Sequence, residues 1–262
     1  MNIPFFQVDA FTVDNRPLTG NPAAVMPLDA WLDDKLLQAI AVENNLSETA
    51  FIVKDGDKAD YALRWFTPGC EVDLCGHATI ATGHIFIGDR DKVTFSTRSG
   101  ILSVARDGDR LLLDVPASRA TDPHAMPELI EALGVDPEET LYTSGAEDSY
   151  LVILPDEAAV RACRPDFGAL KSIEQLIIVS APGVRSDVAS RVFAPGFGID
   201  EDPVTGAAHA ALAPYWADRL GKTRFSAFQT SARGGQLDCT LQGDRVLIGG
   251  KCTTVIEGEF RL

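Results

Sequence analysis

Arg64-Trp65-Phe66-Thr67-Pro68-Gly69 returns later in the chain as Arg191-Val192-Phe193-Ala194-Pro195-Gly196. Each copy leads through an acidic stretch to a glycine that opens a run of small residues. In the first copy this is Asp73-Leu74-Cys75-Gly76-His77-Ala78, and in the second Asp200-Glu201-Asp202-Pro203-Val204-Thr205-Gly206-Ala207-Ala208. A second pair follows each copy. Gly100 begins Ile-Leu-Ser-Val-Ala-Arg-Asp-Gly-Asp-Arg-Leu-Leu-Leu, and Gly235 begins Gln-Leu-Asp-Cys-Thr-Leu-Gln-Gly-Asp-Arg-Val-Leu-Ile. Both offsets are close to half of the 262 residues. A duplicated half predicts two pseudo-symmetric domains, with matching glycine-led helix starts facing each other across one cleft.

The elements read outward from that repeat. Phe5 to Phe11 alternates like a strand, and Ala23 to Met26 reads as a second. Asp29 is placed to cap a helix from about Trp31 to Glu43, with Leu32, Leu36, Leu37 and Ile40 on its apolar face. Glu48 stands at the mouth of a buried strand, Thr49 to Val53, and Tyr61 to Phe66 forms another. His77 to Ile87 is apolar on every side, as in a fully buried helix. Strands from Thr94 to Thr97 and Ile101 to Val115 follow, with a turn at Asp107-Gly108-Asp109. The stretch from Pro116 to Pro127 is polar and proline-rich and reads as the linker. The second half repeats the pattern: a helix near Met126 to Leu133, strands at Tyr150 to Leu154, Leu176 to Val179 and Arg191 onward, and a buried helix from Ala207 to about Leu220. A hairpin turned at Gly243-Asp244 closes it. The last strand, about Thr253 to Leu262, has no partner in its own half and can cross back to the first.

The expected fold class is therefore α+β. Each half is a mostly antiparallel half-barrel wrapped around one central apolar helix. Residues 1–116 form the first domain, to which 250–262 can return, and 117–249 form the second. Neither a phosphate loop nor a dinucleotide glycine fingerprint is present.

Charge narrows the partners. With 23 basic and 38 acidic residues the net charge is −15, which argues against nucleic acid and anionic membrane surfaces. No apolar run reaches the length of a membrane span, and the N-terminal stretch lacks a basic region followed by an apolar core, so a cytoplasmic protein is expected. Five cysteines are too sparse, and too odd in number, for a disulfide framework. His77, His84 and His209 are the histidines that a metal would use, yet no set has convincing ligand spacing, and no metal is expected.

An acidic protein that binds a small anion must do so with local donors. The N–H groups in a helix's first turn are unpaired and carry partial positive charge. Gly76-His77-Ala78 and Thr205-Gly206-Ala207-Ala208 thus read as two anion cradles. Close packing of a buried helix explains the same glycines and alanines, and the pattern alone leaves both readings open. Glu48, His77 and Asp202 are the candidate acids and bases. From spacing alone Glu48 is one of 38 acids, with capping or surface roles as the alternatives.

The motifs taken together resemble the PhzF family, named for the isomerase of phenazine biosynthesis. The resemblance lies in Asp9-Ala10-Phe11 with Gly20-Asn21-Pro22-Ala23-Ala24-Val25, in Asn45-Leu46-Ser47-Glu48-Thr49, in Phe66-Thr67-Pro68 through Cys75-Gly76-His77-Ala78, and in Glu201-Asp202-Pro203-Val204-Thr205-Gly206. It implies a fold like that of diaminopimelate epimerase, usually in a homodimer. It implies isomerisation of a small carboxylic acid by proton shuttling, without metal, flavin, pyridoxal phosphate or nicotinamide. Glu48 would be the main acid/base, with His77 and Asp202 assisting. The family's founding enzyme has a serine after the last Thr-Gly, where this chain has Ala207; that removes a hydroxyl and keeps the N–H. The epimerases of this fold use paired cysteines. Here Cys75 has Thr205 as its counterpart in the repeat, so a two-thiol mechanism is excluded. A Cys75–His77 hydrolase is disfavoured by an expected poor angle between neighbours on one helix start. The other alternative is a non-catalytic metabolite-binding protein that retains the cleft.

Overall fold

The structure is a computed structural model that describes residues 1–123, 126–144 and 148–262. It divides into two compact units, Met1–Asp114 with Gly249–Leu262, and Val115–Ile248.

The first unit opens with β1 (Asn2–Ala10), β2 (Asn21–Leu28), α1 (Asp34–Asn44), β3 (Glu48–Lys54), β4 (Tyr61–Phe66), β5 (Glu71–Val72), α2 (Gly76–Phe86), β6 (Lys92–Thr97), β7 (Gly100–Asp107) and β8 (Arg110–Pro116). The pairings β1–β2, β3–β4, β4–β5, β6–β7 and β7–β8 are antiparallel; β2–β3 and β4–β6 are parallel. Strands β2 and β3 are buried almost continuously because helices cover both of their faces, whereas β8 alternates, as a strand with one covered face must. Helix α2 is the central one. Gly76 through Gly83 are all buried, and it packs against β1, β2, β3 and β7. Its threonines stay satisfied by donating to the carbonyls one turn back, Thr79 to Cys75 and Thr82 to Ala78. Gly83 is required for close approach: a Cβ there would lie 2.5 Å from Val104 of β7.

Helix α1 covers the other face through Leu37, Ile40 and Ala41, against Ile3, Met26, Phe51 and Phe66. It starts later than the periodicity predicts. Asp33, not Asp29, is the cap, its carboxylate accepting from the Lys35 N–H, and Asn45 ends the helix in the left-handed region at φ 48°. Trp31 stays outside the helix and lies beneath the Arg64 guanidinium at 5.3 Å.

The second unit continues with β9 (Ala120–Pro123), α3 (Pro127–Leu133), β10 (Glu139–Thr143), β11 (Ser149–Ile153), α4 (Glu157–Ala162), α5 (Phe167–Leu170), β12 (Leu176–Pro182), β13 (Val188–Ala194), β14 (Ile199–Asp202), α6 (Gly206–Leu220), β15 (Arg224–Gln229), β16 (Gly235–Gln242) and β17 (Arg245–Gly250). The pairing scheme of the first unit recurs. β11–β12 and β13–β15 are parallel, and β10–β11, β12–β13, β13–β14 and β15–β16 are antiparallel. The stretch expected as a linker is corrected here: Ala120–Pro123 is a strand paired with β10, because an extended proline-bearing edge can join a ladder from one side. The sequence reading also passed over β10, α4, α5 and β15. The two helices are only six and four residues long, too short for periodicity, and are marked by their caps Asp156 and Asp166.

Helix α6 is buried over most of its length although it contains Pro214. A proline lacks the N–H that would bond the carbonyl four residues back. That carbonyl, Ala210 O, instead accepts from the Ser118 N–H at 3.1 Å.

The chain ends in β18 (Cys252–Arg261), antiparallel to β1 within the first unit. The repeated arginines do the same job in each unit. Arg64 reaches Glu71 with two nitrogens at 2.6 and 2.7 Å and stacks on Phe66; Arg191 reaches Glu201 at 2.7 and 2.9 Å and stacks on Phe193. Each forked pair pins the short strand that leads into a glycine-led helix. All five cysteines are free, and no helix of the described residues is long and apolar enough to cross a membrane.

Candidate active site

In the first unit the parallel pairing of β2 with β3 places Ala23 beside Glu48. Asn21 opens β2 and Ser47 immediately precedes β3, so their side chains meet at one end of the sheet, with Ser47 Oγ donating to Asn21 Oδ1 at 3.1 Å. The first turn of α2 brings His77 to the same end. His77 Nε2 lies 2.9 Å from Glu48 Oε2, and His77 Nδ1 lies 3.2 Å from Asn21 Nδ2. The Glu48 contact is out of line with the ring N–H. Both atoms are buried, and neither has another hydrogen-bond partner among the described residues. A buried carboxylate oxygen and a ring nitrogen left open side by side are exceptional, and they are what a proton-transfer pair requires.

The electrostatics are set by this packing. Burial works against a charged His77, but the Glu48 carboxylate favours it, and the imidazole is held above 6.5. Cys75 Sγ lies 3.6 Å from His77 Nδ1. The expected poor angle between these neighbours is thus corrected: they do meet. Burial and then the nearby Glu48 push the thiol up to about 11, so at neutral pH it is a thiol and not a nucleophile. Glu48, Cys75 and His77 offer the donor types of a zinc site, with ligand atoms all within 4.8 Å of one another. Cys75 lies toward Nδ1 and Glu48 toward Nε2, however.

Cys75 is also the cap residue of α2, and no side chain makes a regular cap hydrogen bond; the Ala78 N–H faces the Cys75 sulfur, and the first-turn N–H groups at Gly76 and His77 are left to other acceptors. Helix α6 in the second unit likewise lacks a side-chain cap bond, and its cap residue is Thr205. The Thr205 hydroxyl donates to the buried Asp202 carboxylate and makes no cap hydrogen bond. The fully buried Gln229 completes the arrangement. Its amide accepts from the Thr205 N–H at 2.9 Å and donates to the Thr205 hydroxyl at 3.2 Å and to the Asp202 carbonyl at 2.7 Å.

The histidines weighed as metal ligands have other partners. His209 Nδ1 meets the Thr205 carbonyl at 2.8 Å, its Nε2 meets Ser190 Oγ at 3.4 Å, and burial lowers it to about 4. His84 meets Thr254 Oγ1 at 3.1 Å. Of the residues proposed from sequence, Glu48, His77, Gly76 and Ala78 gather in the first unit, and Asp202, Thr205, Gly206, Ala207 and Ala208 in the second. Asn21, Ser47 and Gln229 were passed over as individual residues. Asn21 and Ser47 stood inside quoted motifs, but nothing local to either indicates a role.

The sequence profile of the phenazine biosynthesis-like proteins, PhzC-PhzF, matches residues 8–258. A hydroxyproline epimerase of Agrobacterium vitis, solved with trans-4-hydroxy-L-proline bound, is 16% identical with a TM-score of 0.67, over 98% of this chain and 92% of that one. That likeness establishes an epimerase-like fold. A PhzF-family protein of Enterococcus faecalis superposes with a TM-score of 0.91 at 43% identity over the whole of both chains, and an uncharacterised isomerase of Pseudomonas aeruginosa is 53% identical over the whole of both. The chain belongs to the phenazine biosynthesis-like family and is an isomerase.

Proposed function

We propose that this isomerase moves a proton between carbons of a small carboxylic acid without a cofactor, with Glu48 as the acid/base. The single observation that carries the reading is the buried, unpartnered pair of Glu48 Oε2 and His77 Nε2 at 2.9 Å. A general base acts on a carbon-bound proton only if its oxygen is not already saturated with donors. The uncapped first turn of α2 supports the anionic part of the proposal, since unpaired N–H groups would receive the substrate's carboxylate beside that pair. His77, 2.9 Å from Glu48 Oε2, assists. Asp202, held by Thr205, and the N–H groups of Gly206, Ala207 and Ala208 are proposed as substrate-binding groups. A homodimer and a cytoplasmic location belong to the same proposal and rest on the family resemblance.

The test is incubation of the protein with pooled small carboxylic acids in D₂O, followed by mass spectrometry. A mass gain of one deuterium in one acid, with interconversion to an isomer, is the expected result, and it names the substrate. Saturable binding of an acid with no deuterium uptake would instead make the chain a metabolite-binding protein.

A further inference from the structure

We propose that Asn21 and Ser47 are positioning residues that decide which ring nitrogen of His77 carries its proton. Ser47 Oγ donates to Asn21 Oδ1 at 3.1 Å, with the amide oxygen on the Ser47 side. The Nδ2 end is then turned to His77 Nδ1 at 3.2 Å. An amide N–H only donates, so in the neutral ring Nδ1 must present its lone pair. The Cys75 sulfur near the same nitrogen is a thiol and can likewise donate to it. A singly protonated His77 therefore carries its hydrogen on Nε2, the nitrogen 2.9 Å from Glu48 Oε2. In the other tautomer an N–H would confront the amide N–H on one side, and a lone pair would confront the carboxylate on the other. Asn21 is fully buried and the His77 side chain is 5% exposed, so solvent is not at hand to relieve either clash.

The consequence rests on the reading of Glu48 as the base. Neutral His77 turns an N–H and never a lone pair toward Glu48. It therefore cannot take the abstracted proton from the carboxylate through Nε2. His77 is in this sense a neighbour of the base and not a second base. The two positioning residues reach it from separate motifs, and only the parallel pairing of β2 and β3 puts them side by side.

The tautomer can be read without substrate, by long-range ¹H–¹⁵N correlation of the imidazole rings in uniformly labelled protein across a pH series. With four histidines in the chain, His77 is assigned by the signals lost in His77→Gln. The parent protein should show the Nε2–H form wherever the ring is neutral. Ser47→Ala releases the amide and should move the Nε2–H to Nδ1–H ratio roughly fivefold toward Nδ1–H, the effect of about one hydrogen bond. Asn21→Asp replaces the donor by an acceptor; the neutral ring should then be Nδ1–H, and it should stay charged to higher pH. If Asn21→Asp does not fold, Ser47→Ala carries the test alone. A parent ring protonated on Nδ1, or a ratio unmoved in Ser47→Ala, overturns the proposal. Because no substrate is involved, a failure of Glu48 as base leaves this result standing, and the two inferences fail separately.

Discussion

Glu48→Gln is the most informative single substitution. Glutamine preserves the length and planarity of the side chain, but it cannot accept a proton from carbon. If Glu48 is the base, deuterium incorporation into the acid identified by the pooled screen should fall by at least about a hundredfold, or about 3 kcal/mol of transition-state stabilisation. Binding of that acid should change far less, because backbone N–H groups form the cradle. The structure also sets a second, substrate-free readout. The Glu48 and His77 side chains are 13% and 5% exposed. With the carboxylate gone, burial is left to work against the charged ring, and the His77 titration should move down when followed by NMR. The sign for stability follows. A raised histidine value contributes stability that is fully present below about 6.5 and is lost as pH rises through the folded value. The deficit of Glu48→Gln in urea unfolding should therefore be larger at pH 6 than above the folded His77 titration. Exchange at the parental rate, with His77 displaced as expected, would falsify Glu48 as the base and make Asp202 or His77 the first candidate. A His77 titration that does not move refutes the electrostatic description itself.

Cys75→Ala should retain deuterium exchange to within about fivefold and lose about 1 kcal/mol of stability; iodoacetamide at pH 8 should label the exposed Cys70 and spare Cys75. A hundredfold loss of exchange would restore Cys75 as a participant. His209, lowered to about 4 by burial, resists protonation only in the folded state, so the protein should lose roughly 3 kcal/mol as pH falls from 6.5 to 4. In His209→Gln that acid limb should flatten, and an unchanged limb assigns the loss to other groups. Gly83→Ala brings a methyl to 2.5 Å from Val104 and should cost about 1–3 kcal/mol, although Gly→Ala within a helix ordinarily stabilises by about 1 kcal/mol. A rise in melting temperature shows that the α2–β7 contact gives way freely.

What could be read from the chain, and what could not, follows from which features repeat. The Arg-x-Phe-x-Pro-Gly stretches were legible because both units need the same device, a forked arginine–glutamate pair on a phenylalanine beside a glycine-led helix. The buried helices were legible because Ala, Gly and Thr on every side admit few other readings. Short capped helices and the paired Ala120–Pro123 segment were not, since tertiary pairing and single caps decide them. The site was legible through resemblance and only in outline. The contacts of His77 with Glu48 and Asn21 join residues 29 and 56 positions away, and register, not local pattern, creates them.

The registers also show where the two copies part. Phe66 pairs with Thr49 and Phe193 with Ile177, which makes the buried Leu176 the counterpart of Glu48. Phe66 also pairs with Glu71, and Phe193 with Glu201; the residues after them, Val72 and Asp202, correspond in turn. One step further on, Cys75 answers to Thr205 and His77 to Ala207, the residues on which each helix starts. The Glu48–His77 contact is thus confined to the first unit, while the oriented carboxylate of Asp202 lies in the second. Packing constrains both copies alike, so it keeps them similar and visible as a repeat. Chemistry requires each polar group once, so its residues are those at which the repeat fails. In a duplicated chain of this kind, the mismatches between well-aligned halves are the place to look for the active site.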